Sequence, residues 1–190
     1  MGGEPLTNTP GFYLFASFLV LFTGMPQLTA QALIAALFSA FTVFPAYLIA
    51  RKIWKNNSVG LLGAFFVAVS TFSIEMLGWG GYPNIISLTL IGIVVFVFLK
   101  NSNQPHFFKL IIMALLLGAL ALTHLLSFFV LLSVWLGYII LLHIAKAFRQ
   151  VEVKSLRTIG FFLASIALAA LFVSPWILRV WNFYTDMSAQ

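Results

Sequence analysis

Long apolar runs decide what this chain can fold into. Six of them, at residues 29–53, 59–75, 84–100, 107–123, 126–145 and 158–178, are 17 to 25 residues long. A helix crossing the hydrocarbon of a bilayer needs about 17–25 apolar residues. Only 7% of the 190 residues are charged and 62% are hydrophobic, with a mean hydropathy of +1.08. A soluble domain carries about a quarter of its residues as charges, and one globular core could not hide this much apolar surface. The sequence therefore reads as an all-α integral membrane protein with six transmembrane helices in a single transmembrane domain, residues 1–190. A seventh run at 11–24 has 14 residues. That length suits an interfacial or re-entrant helix, so it is read as a short half-helix at the outer leaflet, with a short seventh span as the alternative.

The basic residues orient these runs. Arg51, Lys52 and Lys55 follow the first span, Lys100 and Lys109 flank the connector two spans later, and Lys146, Arg149, Lys154 and Arg157 flank the next one. Cytoplasmic placement of those connectors puts nine of the ten basic residues inside and leaves Arg179 outside, as the bias of lysine and arginine toward the cytoplasm demands. The net charge of +6 is thus a topology signal and implies no nucleic-acid partner. The chain is expected to be a multi-pass protein of the plasma membrane, with membrane lipids around it. The extracytoplasmic face then carries the unusual segments: "EPLTNTPGFY", "SIEMLGWGGYPNIISL", "LTHLLS" and "SPWILRVWNFYTD". The opposite face carries plain basic connectors such as "KNNS". Function is expected at the elaborate face.

Four features there could carry chemistry. Glu75 ends the 59–75 run near the edge of the hydrocarbon, where a carboxylate is costly and commonly has a partner. It is a candidate metal ligand, acceptor of a sugar hydroxyl or catalytic base, the alternative being a solvated acid at a helix end. In "GWGGYPN", three glycines permit backbone angles closed to other residues, and Pro83 suits the first turn of a helix. Trp79 and Tyr82 offer aromatic faces for a sugar ring, the alternative being the aromatic belt that also accounts for Trp176, Trp181 and Tyr184. His124, in the outer turn after the 107–123 run, could donate to a phosphate or carry a proton, or simply cap a helix. Arg179 could grip a phosphate in bidentate fashion, pair with Asp186, or reach to lipid head groups. His106 and His143 lie toward the basic side and are assigned no role. There is no cysteine, which excludes disulfides, thiolate metal sites and a cysteine nucleophile. No nucleotide loop, zinc helix or nucleophile elbow is present.

With these pieces placed, the chain resembles the middle of a GT-C superfamily glycosyltransferase of the protein-mannosyltransferase-like kind. "EPLTNTPGFYLFASFLVLFTG" resembles that family's approach to a juxtamembrane helix, and "SIEMLGWGGYPNIISLTLIGIVVFVFLK" its pair of spans joined by an outer active-site turn. "GALALTHLLSFFVLL" and "LFVSPWILRVW" resemble its next outer turn and its last span before an outer domain. The resemblance implies transfer of a sugar from a polyprenyl-phosphate lipid on the extracytoplasmic face. It implies Tyr82 and Asn84 beside Glu75 in the substrate cavity, Trp79 on the sugar, and His124 and Arg179 near the phosphate. A divalent metal between an acid and the phosphate is implied as cofactor. The family's principal catalytic acid sits in a first outer loop that would precede Glu4, and its outer domain would follow Gln190. The chain is accordingly expected either to be a fragment truncated at both ends, its acidic loop coming from an upstream segment or a partner chain, or to be a degenerate relative without full activity. The alternative is a non-catalytic membrane subunit or scaffold that binds a lipid-linked substrate. A transporter is disfavoured, because the spans carry almost no charge in their middles.

Overall fold

The structure is a computed structural model that describes residues 10–70, 72–78, 80–101, 106–147 and 155–188. Every element among them is an α-helix. In chain order these are α1 Gly11–Thr23, α2 Gln27–Phe41, α3 Val43–Trp54, α4 Asn57–Ala68, α5 Phe72–Gly78, α6 Tyr82–Asn101, α7 Phe107–Thr123, α8 Leu125–Ala147 and α9 Ser155–Ser188. Three stretches are long and apolar enough to cross a membrane: Gln27–Trp54, which joins α2 to α3, Tyr82–Asn101, and Thr158–Asn182. They coincide with the runs expected at 29–53, 84–100 and 158–178. Among the described residues, α1, α4, α7 and Leu125–Leu141 of α8 are shorter apolar helices, so six spans are not established. The 59–75 run differs most from expectation. It divides into α4 and α5, and Glu75 stands in the first turn of the separate α5 rather than at the end of a span. The α4 helix alone rises about 18 Å at 1.5 Å per residue. The β-branched Val67 and Val69 and the hydroxyl of Ser70, at the division, all weaken a helix that nothing else interrupts.

The α6 helix holds the bundle together, packing against α1, α2, α3, α5, α7 and α8. On one side, Val94 and Phe98 join Met113, Leu117 and Leu120 of α7, Leu131 and Trp135 of α8, and Phe161 and Phe162 of α9 in the main core. There the Trp135 and Phe162 rings stack 4.4 Å apart. On another side, Ile86 meets Phe12, Ala16 and Ile34 in a smaller cluster that fixes α1 and α2. Large side chains facing away from these cores are apolar too, Leu21, Phe22 and Leu28 among them. That is the pattern expected where lipid rather than water is the solvent.

Two close approaches set how the helices meet. Gly60 of α4 lies so near Tyr47 that a Cβ there would come within 2.8 Å of the ring, and a Cβ on Gly63 would come within 3.0 Å of the Ala50 methyl. Small residues three apart let these helices approach closely, as helices commonly do in membranes. Asn56 starts α4, its side-chain oxygen accepting the N–H of Ser58 at 2.7 Å. The second approach sits between α3 and α6, where a Cβ on Gly92 would meet the Pro45 ring at 2.8 and 2.9 Å. A proline ring has little freedom to give way. Gly92→Ala is therefore expected to cost about 1–3 kcal/mol of stability, read as a lowered thermal midpoint in detergent. Gly137→Ala, where a Cβ meets nothing within 4 Å, should be neutral or stabilising by up to about 1 kcal/mol. Equal losses in the two variants would contradict the contact.

Candidate functional site

The polar stretch before α6 builds a tight helix reversal. Gly81 donates its N–H to the Met76 carbonyl at 2.8 Å and Gly80 donates to Leu77 at 3.4 Å. Gly80 has a φ of +82°. This is the Schellman arrangement, which requires a left-handed residue and explains glycine at that position. Gly81 is buried, and its carbonyl receives the N–H groups of Asn84 at 3.1 Å and Ile85 at 3.3 Å. One residue thus closes α5 and opens α6. Much of the glycine in this segment is therefore turn chemistry.

The residues expected to bind substrate divide accordingly. Glu75 is exposed, one turn before the reversal. Tyr82 is half-buried and its ring lies 6.1 Å from that of Phe12, so much of it serves packing. Asn84 is half-buried, and its carbonyl accepts the Ser87 hydroxyl at 2.8 Å. Trp79 lies outside the described residues, as do the side chains of Tyr184 and Asp186.

His124 turns α7 into α8. Its backbone is extended, with φ −157° and ψ 97°; its N–H closes α7 on the Leu120 carbonyl at 2.9 Å and its carbonyl accepts from Phe128 at 3.2 Å. The Ser127 N–H donates to His124 Nδ1 at 3.2 Å. That is an N-cap made by an imidazole, three residues ahead of the amide it satisfies. The Ser127 hydroxyl lies 2.7 Å from the same nitrogen and 2.9 Å from the Ser87 hydroxyl. Ser87, fully buried, ties this group to Asn84. The capping bond needs a lone pair on Nδ1, so the neutral ring with its proton on Nε2 is the form that caps. The hydroxyl order follows: Ser127 donates to His124, and Ser87 divides its one proton between Ser127 and Asn84. Protonation of Nδ1 would break the amide cap and reverse the order, so that protons run from His124 through Ser127 and Ser87 to the Asn84 carbonyl.

Two other elements reach this end. Gly11 of α1 sits against the end of α7, where a Cβ would be 2.8 Å from the Leu122 carbonyl oxygen. The α9 helix packs Phe162 near Phe98 and Val173 near Gly118, so it runs beside α7 in the same direction. Trp176 lies one turn beyond Val173. Its Nε1 is buried and has no hydrogen-bond partner among the described residues. Tryptophan toward the end of an apolar stretch reads equally as a membrane anchor, and packing separates this one from the exposed Trp181. Arg179 is exposed on the same helix.

This end thus joins an imidazole and two hydroxyls to the Asn84 backbone carbonyl, with one exposed carboxylate on α5 and one exposed guanidinium on α9. Neutral donors and acceptors of this kind suit the hydroxyls of a polar head group. Among the described residues, no group of three histidines or acids comes together to hold a metal. The chain matches no protein-family model, no curated protein and no solved structure.

Burial lowers the His124 pKa below its ordinary 6.5, which favours the capping form. The unfolded chain then binds the proton more readily than the folded one. Stability is full above the ordinary value and declines as pH falls below it. The thermal midpoint is expected to drop between about pH 7.5 and about pH 5. In His124→Asn, which keeps a capping oxygen, that part of the slope should disappear. His124→Ala should lose about 1 kcal/mol at neutral pH through the missing cap. A slope unchanged in His124→Asn would contradict the assignment.

Proposed function

We propose that the chain is a multi-pass protein of the plasma membrane whose His124 end faces the extracytoplasmic side and holds the polar head of a polyprenyl-phosphate-linked sugar for glycosyl transfer. The supporting observation is the chain of neutral hydrogen-bonding groups from His124 through Ser127 and Ser87 to the Asn84 backbone carbonyl, at the ends of three apolar helices. The half-buried His124 and Asn84 at its edge offer an imidazole and an amide to sugar hydroxyls, and the exposed Arg179 of α9 suits the phosphate. In the transfer, the acceptor hydroxyl oxygen attacks the anomeric carbon, the bond from that carbon to the phosphate oxygen breaks, and the lipid phosphate leaves. The proton of the acceptor hydroxyl passes to a base, and Glu75, the exposed carboxylate at this end, is the candidate.

A scaffold that binds the lipid-linked sugar without turning it over is the second reading. It is favoured by Glu75 standing exposed on the short α5 helix rather than lining a closed site.

The reading is tested with polyprenyl phosphate mannose and unglycosylated polyprenyl phosphate, each titrated into the purified protein in detergent. Saturable binding of both is expected, tighter for the sugar-bearing lipid. Arg179→Ala should weaken both by roughly tenfold or more, since it removes a charged hydrogen-bonding partner. Asn84→Ala should erase the preference for the sugar. Sugar release to a soluble acceptor that is abolished in Glu75→Gln supports the enzyme, whereas binding without release supports the scaffold. Binding indifferent to both substitutions would contradict either reading.

A further inference from the structure

At the other end of the bundle, two facing helices show the same change of chemistry along one stripe. On α2 and α3 the stripe is Phe41, Pro45, Leu48, Lys52 and, one residue past the helix, Lys55. On α6 it is Thr89, Ile93, Phe96 and Lys100. Spacings of three and four keep each set on one helix face. The apolar parts of both stripes line an open groove of about 590 Å³. That groove shares Leu48 and Phe96 with a second cavity of about 510 Å³, walled by Arg51, Lys52, Lys55 and Lys100. The Gly92–Pro45 contact sets the register that brings the two stripes together.

Basic residues at the ends of apolar helices need no ligand, since topology alone accounts for them. The continuity of the two cavities asks for more. All four cations are exposed, and Arg51 lies 6.0 Å from the Tyr47 ring centroid. The one acid whose side chain is described, Glu75, belongs to α5 beside the N-terminus of α6, the far end of that helix from Lys100. A free anion would use only the cationic cavity, and an uncharged lipid only the groove. A single molecule that fills both has an anionic phosphate head and a hydrocarbon chain. We propose that this is a binding site for an anionic phospholipid. The phosphate sits among Arg51, Lys52, Lys55 and Lys100, and one acyl chain lies in the groove between α3 and α6. The site is separate from the His124 end and does not rest on glycosyl transfer.

The test compares phosphatidylglycerol with phosphatidylcholine, each added to delipidated full-length protein in neutral detergent, with bound lipid counted by native mass spectrometry. One phosphatidylglycerol per chain is expected, retained at least tenfold more tightly than phosphatidylcholine. Removing two cations near a lipid phosphate in Lys52→Gln with Lys100→Gln should cut that preference by roughly tenfold or more. Ile93→Trp keeps every charge but fills the groove, and should cut retention comparably. Leu48→Trp serves if Ile93→Trp does not purify as a folded, monodisperse species. Glycerol phosphate, which has the head group and no chain, should not compete. Equal retention of the two lipids would overturn the proposal, and so would retention unchanged when the groove is filled. Full competition by glycerol phosphate would also overturn it, showing a site for phosphate alone.

Discussion

The arrangement of helices depends on the joint between α2 and α3. Pro45 has no N–H to give the Phe41 carbonyl, so the ladder of the longest apolar stretch is interrupted there. The α2 and α3 helices divide at Thr42, whose hydroxyl turns back to the Ser39 carbonyl at 2.6 Å. Across the interface, the Thr89 hydroxyl lies 2.9 Å from the Phe38 carbonyl and 3.3 Å from the Ile85 carbonyl of its own helix. The shorter, interhelical bond ties α6 to the joint. One turn further along, Gly92 admits the proline ring itself. Polar pairing thus fastens α6 to α2 and close packing fastens it to α3, on either side of the joint, and α6 carries that register to the cores on its other sides.

Fastening α6 in this way separates two kinds of chemistry. Its N-terminus, with the reversal at Gly80 and Gly81, brings Asn84 and Ser87 beside the turn made by His124. Its C-terminus brings Lys100 opposite Lys52 and Lys55. One end is rich in neutral hydrogen-bonding groups and the other in exposed cations. Between them the helices offer almost only hydrocarbon. We read the first as a place for a sugar head group and the second as a place for a lipid phosphate.

Apolar length was enough to locate the long stretches, because contact with lipid makes the whole circumference of a helix apolar. The same uniformity hid the division between α4 and α5. A few β-branched and hydroxylic residues near Ser70 are a faint signal inside a continuous apolar run. Glycine and proline in "GWGGYPN" announced a turn, and the left-handed Gly80 shows why, whereas the share of Tyr82 spent on packing against Phe12 required the neighbouring helix to be in place. His124 was legible as a residue at a turn. A helix cap was among the roles open to it; which nitrogen caps, and that Ser127 supplies the amide, needed the turn in place. The basic residues near positions 51–55 and 100 read as topology signals from sequence alone. Their convergence on one apolar groove depends on the Gly92–Pro45 contact, which joins residues 47 positions apart.

The central claim is that these two ends lie on opposite sides of a membrane. The chain contains no cysteine, so single cysteines placed at the exposed Glu75 and the exposed Ser58 report directly. Sealed right-side-out vesicles would be treated with a membrane-impermeant thiol reagent before and after permeabilisation. The account predicts that Glu75→Cys is labelled in intact vesicles, while Ser58→Cys is labelled only once they are opened. Labelling of both from the same side would contradict it.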